Sequence, residues 1–227
     1  MIPWEALGRA TAPGGSVLTL HRRGEEYVIR VDGKDLMGSR QHGSEDALAQ
    51  LGCRGLGALP NPRVLIGGLG MGFSVRAALD VLGAQAEVEV AELVPVVIAW
   101  NRGPLAALAG APLDDSRVSV REGDVVDLIN SSRARYDAIL LDVDNGPSAL
   151  TSPSNGRLYG AAGLANAAHA LKPRGLLAVW SASDEPQFTQ KLTRAGYEVQ
   201  IERVLARHNG AKRGGKRHVL WLARKRA

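Results

Sequence analysis

From Arg63 onward, short apolar runs alternate with helical stretches, and this alternation constrains the fold more than any other feature. Strand candidates fall at 64–66, 86–91, 117–121, 136–141 and 176–180, with helical stretches at 73–82, 94–108, 125–130 and 158–171 between them. A regular β-α-β order requires parallel strands joined by crossover helices, because two parallel neighbours cannot be joined by a tight turn. The expected fold class is therefore α/β, with a doubly wound, mostly parallel sheet. After a helix at 186–195 come two strand-like runs, 197–206 and 217–223, with a Gly/Lys/Arg-rich loop between them. Without an intervening helix they read as an antiparallel hairpin closing the sheet.

Residues 1–52 have a different pattern. Residues 3–10 read as a short helix, while 16–21 and 25–31 alternate as strands around the turn Arg22-Arg23-Gly24. Asp32-Gly33 marks a second turn and 35–39 a third short strand. Ser44 is placed to cap a helix, with Glu45 and Asp46 in its first turn and Ala47, Leu48 and Leu51 on its apolar face. The expected division is a small β-rich cap with a helix at 1–52 and a main α/β domain at 53–227. A length of 227 residues suits one principal domain with such an appendage.

Composition removes several classes of function. No apolar run approaches the roughly 18–20 residues of a membrane span, and the N-terminus MIPWEALGRA lacks a signal-peptide core. The single cysteine, Cys53, rules out an intramolecular disulfide and a multi-cysteine zinc site, and the five histidines show no metal-ligand spacing. A cytoplasmic, metal-free protein is the expectation. The net charge of +5 is uneven: residues 202–227 hold nine Lys/Arg against one Glu, and the remainder is slightly acidic. The basic character is thus local, and aromatic residues at 4% are too few for a base-stacking platform.

The chemistry concentrates at strand ends. The first βα turn reads Gly67-Gly68-Leu69-Gly70-Met71-Gly72 after the strand Val64-Leu65-Ile66. Glycines there allow a sharp turn and a close backbone approach to a ligand, and the next helix offers N–H groups. Glu92 ends the second strand, 20 residues beyond Gly72, where nucleotide-binding sheets present an acid to ribose hydroxyls. Asp124 follows the third strand and Asp142 ends the fourth. Ligands of open α/β sheets bind beyond the strand carboxyl ends, so the three acids are expected on one edge. Each could instead be a helix cap or a surface acid. A nicotinamide dehydrogenase would share the glycine turn and Glu92 but has no need of the next two acids. A ligand with adenine, ribose and a cationic sulfur uses all three, which favours S-adenosylmethionine or its decarboxylated form.

On these residues the chain resembles the Rossmann-like class I S-adenosylmethionine-dependent transferases, and within them the spermidine synthase-like branch. The motifs that carry the resemblance are the turn at 67–72, Val90-Ala91-Glu92, Glu122-Gly123-Asp124, Tyr136-Asp137-Ala138-Ile139-Leu140-Leu141-Asp142 and Leu171-Lys172-Pro173-Arg174-Gly175. The resemblance implies cofactor contacts from Gly67, Gly68, Leu69, Gly70, Gly72, Glu92, Leu93, Asp124, Val125 and Asp142. It also implies that Asp142 is the general base, with Asp144 beside it, and that the protein is a homodimer. The pattern departs from that branch at two places. Its glycine turn reads Gly-Gly-Gly-Asp-Gly, with the acid on the amine of decarboxylated S-adenosylmethionine; Gly70 stands at that position here. Its loop after the fourth strand reads Asp-Ser-Ser-Asp-Pro, against Asp142-Val143-Asp144-Asn145-Gly146-Pro147. A glycine tolerates the carboxylate of ordinary S-adenosylmethionine where an acid would repel it. The expected reaction is therefore methylation of a small amine- or hydroxyl-bearing acceptor by in-line displacement at the sulfonium carbon. Aminopropyl transfer from decarboxylated S-adenosylmethionine, making a polyamine, is the alternative.

Gln41, His42, Glu45, Asn145 and Tyr159 are the candidate acceptor contacts, and no metal is expected. The basic stretch 207–217 would reach the ligand edge if the strand before it runs parallel to the main sheet. It could alternatively mark a non-catalytic, nucleic-acid-associated protein. Trp100, Trp180 and Trp221 lie in apolar runs and read as core.

Overall fold

The computed structural model describes residues 2–143, 147, 157–206 and 216–226. Its main body is a seven-stranded sheet formed by β5 (Arg63–Gly67), β6 (Glu87–Glu92), β7 (Val118–Glu122), β8 (Tyr136–Leu141), β9 (Leu171–Ser181), β10 (Tyr197–Leu205) and β11 (Arg217–Lys225), in the order β10-β11-β9-β8-β5-β6-β7. Strands β5 to β9 pair in parallel, and β11 is antiparallel to both β9 and β10. The order reverses at β5: the chain steps outward through β6 and β7, then returns to β8 on the other side. Such a reversal opens a crevice at the carboxyl edge. Because β11 runs against both neighbours, β10 runs with β9, so the β10–β11 connection leaves from that same edge.

Each sheet face has its own core. One holds Leu65, Ile139, Leu141 and Trp221 against α4 (Val125–Asn130), α5 (Ala161–Ala170) and α6 (Pro186–Arg194). The other holds Val64, Ile66, Val88 and Leu140 against α1 (Gly43–Gly52), α2 (Phe73–Val81) and α3 (Pro95–Arg102). Strands buried on both faces carry continuous apolar runs rather than alternating ones, as in Val64-Leu65-Ile66 and Ala138-Ile139-Leu140-Leu141.

A second, four-stranded antiparallel sheet runs in the order β1 (Glu5–Thr11), β2 (Val17–Arg23), β3 (Glu26–Val31), β4 (Lys34–Gly38). The helix expected at 3–10 is a correction: this segment is β1, paired with β2 across a bulge between Ala6 and Gly8. Its helix-compatible residues are overridden by ladder hydrogen bonds and by docking. A Cβ on Gly8 would lie 2.4 Å from Nε1 of Trp100 on α3, so only glycine admits the indole. Leu18, Leu20 and Ile29 join the core that contains Val64 and Ile66. Burial of about 1.5–3 kcal/mol per large apolar side chain attaches the small sheet firmly.

Other boundaries also moved. Helix α1, grouped by sequence with the cap, lies on the large sheet, where Gly52 abuts Leu140 and Ala178. Ser44 is not its cap; His42 holds that position and Ser44 is buried. The helix expected at 94–108 ends at Arg102, because Gly103-Pro104 interrupts it, and a 3-10 turn follows at Ala106–Ala109. Strand β9 begins five residues earlier than expected and shifts register between Tyr136 and Ala138 of β8. Among the described residues, no helix is long and apolar enough to cross a membrane.

Candidate active site

A cavity of about 550 Å³ opens at the carboxyl edge of the large sheet and is roofed by the small one. Its size is within the range of small-molecule and cofactor sites. Its floor is the turn after β5. Gly68 has φ +90, and a Cβ there would lie 2.2 Å from the carbonyl oxygen of Asp142, so the close crossing of this turn and the β8 end requires glycine. Gly70, at φ +53, is held from behind by Asn101, whose Nδ2 donates to its carbonyl at 2.9 Å. From the roof, Met37 of β4 places Sδ 3.3 Å from where a Gly70 Cβ would be.

All three strand-end acids, expected on one edge, are among the residues lining the cavity. Glu92 accepts from the backbone N–H of Leu69 (2.9 Å) and of Val94 (2.8 Å), joining the glycine turn to the start of α3. Asp124 caps α4 by accepting from the Val126 N–H at 2.9 Å, so a structural role coexists with its place in the wall. Asp142 is anchored by its own N–H on the Gly67 carbonyl (2.9 Å) and accepts from the Ser74 hydroxyl at 2.6 Å. Burial pushes the Asp142 carboxyl up to about 6, with the Ser74 bond opposing.

Leu69, Leu93, Val125, Gln41 and Glu45 also line the cavity. Glu45 faces it from the first turn of α1, and burial followed by the Asp142 charge pushes its carboxyl up to about 7. Gly67 and Gly72 support the turn from outside the lining: a Cβ on Gly67 would press on Val125, and one on Gly72 on Asn101 and Pro112. His42 also stands back from the cavity, pairing with Asp46 at 2.8 Å and stacking on Phe73 at 3.9 Å between ring centroids. Its expected acceptor contact is thus replaced by packing on the helix that follows the glycine turn. Tyr159 is a second correction: it is buried in the core beside α6, edge-on to Phe188 at 5.6 Å. Asp144, Asn145 and the basic stretch at 207–215 lie outside the described residues.

The structure adds residues that motif reading missed. Ser74 lies only two positions beyond the glycine turn and was legible in principle. Lys216, His218 and Trp180 enter the wall through the hairpin and its neighbour, and Glu26, Met37 and Arg40 through the roof. None of these sits in a recognisable motif. Trp180, expected in the core, is both part of the core and part of the cavity wall. Cys53 is buried, and burial pushes its thiol up to about 12. Among the described residues, no group of His, Cys, Asp and Glu is arranged to hold a metal.

No protein-family model matches the sequence. The polyamine aminopropyltransferase of Mycobacterium tuberculosis is 34% identical over 123 residues, which is 53% of this chain and 23% of that protein; the Mycobacterium bovis protein matches equally. The chain thus spans about a quarter of the length of these relatives. Among solved structures, spermidine synthase from Thermotoga maritima superposes with a TM-score of 0.73 at 16% identity, covering 97% of this chain and 72% of that one. A spermidine synthase complexed with the transition-state analogue AdoDATO gives 0.72 at 15%, with the same coverage. A probable spermidine synthase from Corynebacterium glutamicum gives 0.61 at 18%, covering 96% and 79%. The chain shares the fold of these spermidine synthases.

Proposed function

We propose that this protein transfers an aminopropyl group from decarboxylated S-adenosylmethionine to an amine. The observation that carries the reading is the placement of two carboxyl groups, Asp142 and Glu45, on one cavity that the glycine turn, Glu92 and Asp124 also line. Carboxylates suit both a cationic amine and a sulfonium. The names of the sequence relatives and fold neighbours favour this reading over the methyl transfer suggested by Gly70.

The residues fit the group they would hold. The turn at Gly68–Gly70 admits a close backbone approach, and Glu92 and Asp124 in the same cavity would hold the ribose hydroxyls and the adenine respectively. The bound sulfonium supplies an already activated carbon, so the protein contributes mainly positioning and exclusion of water. Asp142 accepts a proton from the ammonium of the acceptor and frees its lone pair to form the N–C bond. The C–S bond breaks with its electron pair on sulfur, leaving a neutral thioether.

Gly70 favours a second reading, methyl transfer from S-adenosylmethionine, because nothing acidic at that position repels the cofactor carboxylate. Incubation with either cofactor and a set of linear diamines and triamines, followed by mass spectrometry of the thioether, separates the two. Methylthioadenosine with an aminopropylated amine is the expected result. S-adenosylhomocysteine formed from S-adenosylmethionine, with the decarboxylated donor unused, would overturn it. Release of neither thioether would remove the enzyme reading altogether.

A further inference from the structure

Behind Glu45 lies a hydrogen-bonded chain that the reaction outlined above does not use. The Ser44 hydroxyl lies 2.5 Å from Glu45 Oε2 and 2.8 Å from Nδ1 of His218, a residue 174 positions away on β11. Ser44 and His218 are both buried, and Glu45 and His218 both line the cavity. The backbone fixes the same junction, since the Gly43 N–H donates to the Ala206 carbonyl just past β10 at 3.0 Å. We propose that Glu45 and Asp142 form one proton-accepting pair for the attacking amine, with Ser44 and His218 as positioning residues that tie the proton state of Glu45 to the tautomer of His218. The catalytic part of this proposal rests on the amine-alkylation reading above.

The argument is one of proton counting. A serine hydroxyl has one proton to give. When Glu45 is ionised, Ser44 donates to it, so His218 must donate from Nδ1 to the serine oxygen. When Glu45 carries a proton, it can donate to Ser44, and Ser44 then turns its own proton to Nδ1. The imidazole is neutral in both states but is protonated on Nδ1 in the first and on Nε2 in the second. Burial, followed by the charge of Lys216, holds His218 down to about 4, so the ring changes tautomer rather than becoming charged.

Two carboxyl groups facing one buried space disfavour double ionisation, so the pair holds one proton over a range in which an isolated carboxyl holds none. The ionised member takes the proton of the ammonium as the N–C bond forms and the C–S pair passes to sulfur. The pair then carries two protons and releases one to water when the products leave. Other charged groups around it are Asp46 on α1 and its partner His42 just before that helix, Arg40, Glu26 and Asp35 on the roof, Glu92 and Asp124 at the strand ends, and Lys216 before β11. Asp46 adds to the raising of Glu45, and the Ser44 bond opposes it.

The test uses the full chain. Imidazole ¹⁵N shifts of His218, assigned by difference with His218→Gln, are followed from pH 4 to 9 without substrate. The wild type is expected to switch tautomer with a midpoint at about 7. The step should vanish in Glu45→Gln and in Ser44→Ala, and fall to lower pH in Asp142→Asn. A His218 profile indifferent to these substitutions overturns the network; should Glu45→Gln fail to fold, Ser44→Ala and Asp142→Asn decide the matter alone. In turnover, Glu45→Gln should lower kcat about 100-fold or more with methylthioadenosine affinity within about twofold, and Glu45→Asp should recover part of the rate. Ser44→Ala should shift the pH–rate profile rather than only scale it. Unchanged kcat in Glu45→Gln overturns the catalytic role. If the wild type alkylates no amine, the aminopropyl reading and this role fall together, while the ¹⁵N titration still decides the network.

Discussion

The two halves of the cavity are held together in different ways. On the glycine-turn side, carboxylates clamp backbone amides: Glu92 on Leu69 and Val94, Asp124 on Val126. These partners lie two residues away or across one βα unit, so the geometry follows from the strand–turn–helix rule itself. Other contacts bind side chain to side chain across long stretches of sequence, as in Ser44 with His218 where α1 meets β11 and Ser74 with Asp142 where α2 meets the β8 end. The first half resembles a cofactor cradle built from local rules. The second, proposed above to take the acceptor and its proton, is assembled only once helices and strands of the large sheet distant in sequence come together. Carboxyls satisfied by backbone N–H groups are suited to holding a ligand, whereas carboxyls kept in a dry space by hydroxyls are poised to exchange a proton.

Substitutions should therefore separate the halves. Asp142→Asn should have the largest effect on chemistry, lowering kcat about 10²- to 10⁴-fold while changing cofactor affinity far less. Single-turnover rates alongside calorimetric binding of methylthioadenosine measure this, and an equal loss of both would make Asp142 a binding residue. Glu92→Ala should do the reverse. Loss of a charge-assisted hydrogen bond costs about 1.5–3 kcal/mol, so cofactor affinity should fall about 10- to 150-fold. Unchanged affinity would contradict the ribose assignment.

Gly70→Asp should sharpen the distinction within the cradle. Aspartate tolerates left-handed backbone, and its Cβ would ask Met37 to move by only a few tenths of an ångström. The added charge should shift preference by about tenfold toward the cofactor lacking a carboxylate. A parallel drop for both cofactors would show steric damage instead.

The smallest effects concern pH. His218 is depressed in the fold, so the folded state binds fewer protons than the unfolded chain between about 4 and the ordinary histidine range. That contribution is present above the ordinary histidine value and is lost as pH falls toward about 4. Glu45 has the opposite sign. Its raised value makes the fold relatively more stable in acid, and the advantage is lost as pH rises from the ordinary carboxylate range through about 7. Calorimetric melts should show His218→Gln losing less stability than the wild type on acidification. Glu45→Gln should lose less on going from pH 5 to 8. Curves parallel to the wild type would disconnect these groups from the fold.

The chain by itself determined the large sheet and the carboxyl-edge position of Glu92, Asp124 and Asp142. Hydrophobic periodicity and glycine turns are local signals, and crossover handedness leaves little freedom in what they build. What it did not disclose depends on contacts distant in sequence. The segment containing Gly8 becomes a strand because β2 and Trp100 receive it. Tyr159 is drawn into a core by Phe188. Ser44 looks like a cap until His218, brought back antiparallel by β11, meets it. The sheet that roofs the cavity and the hairpin that walls it acquire their meaning only by docking, because burial and hydrogen-bond satisfaction are properties of the assembled surfaces. Tertiary structure alone therefore decided which carboxyl would face Asp142.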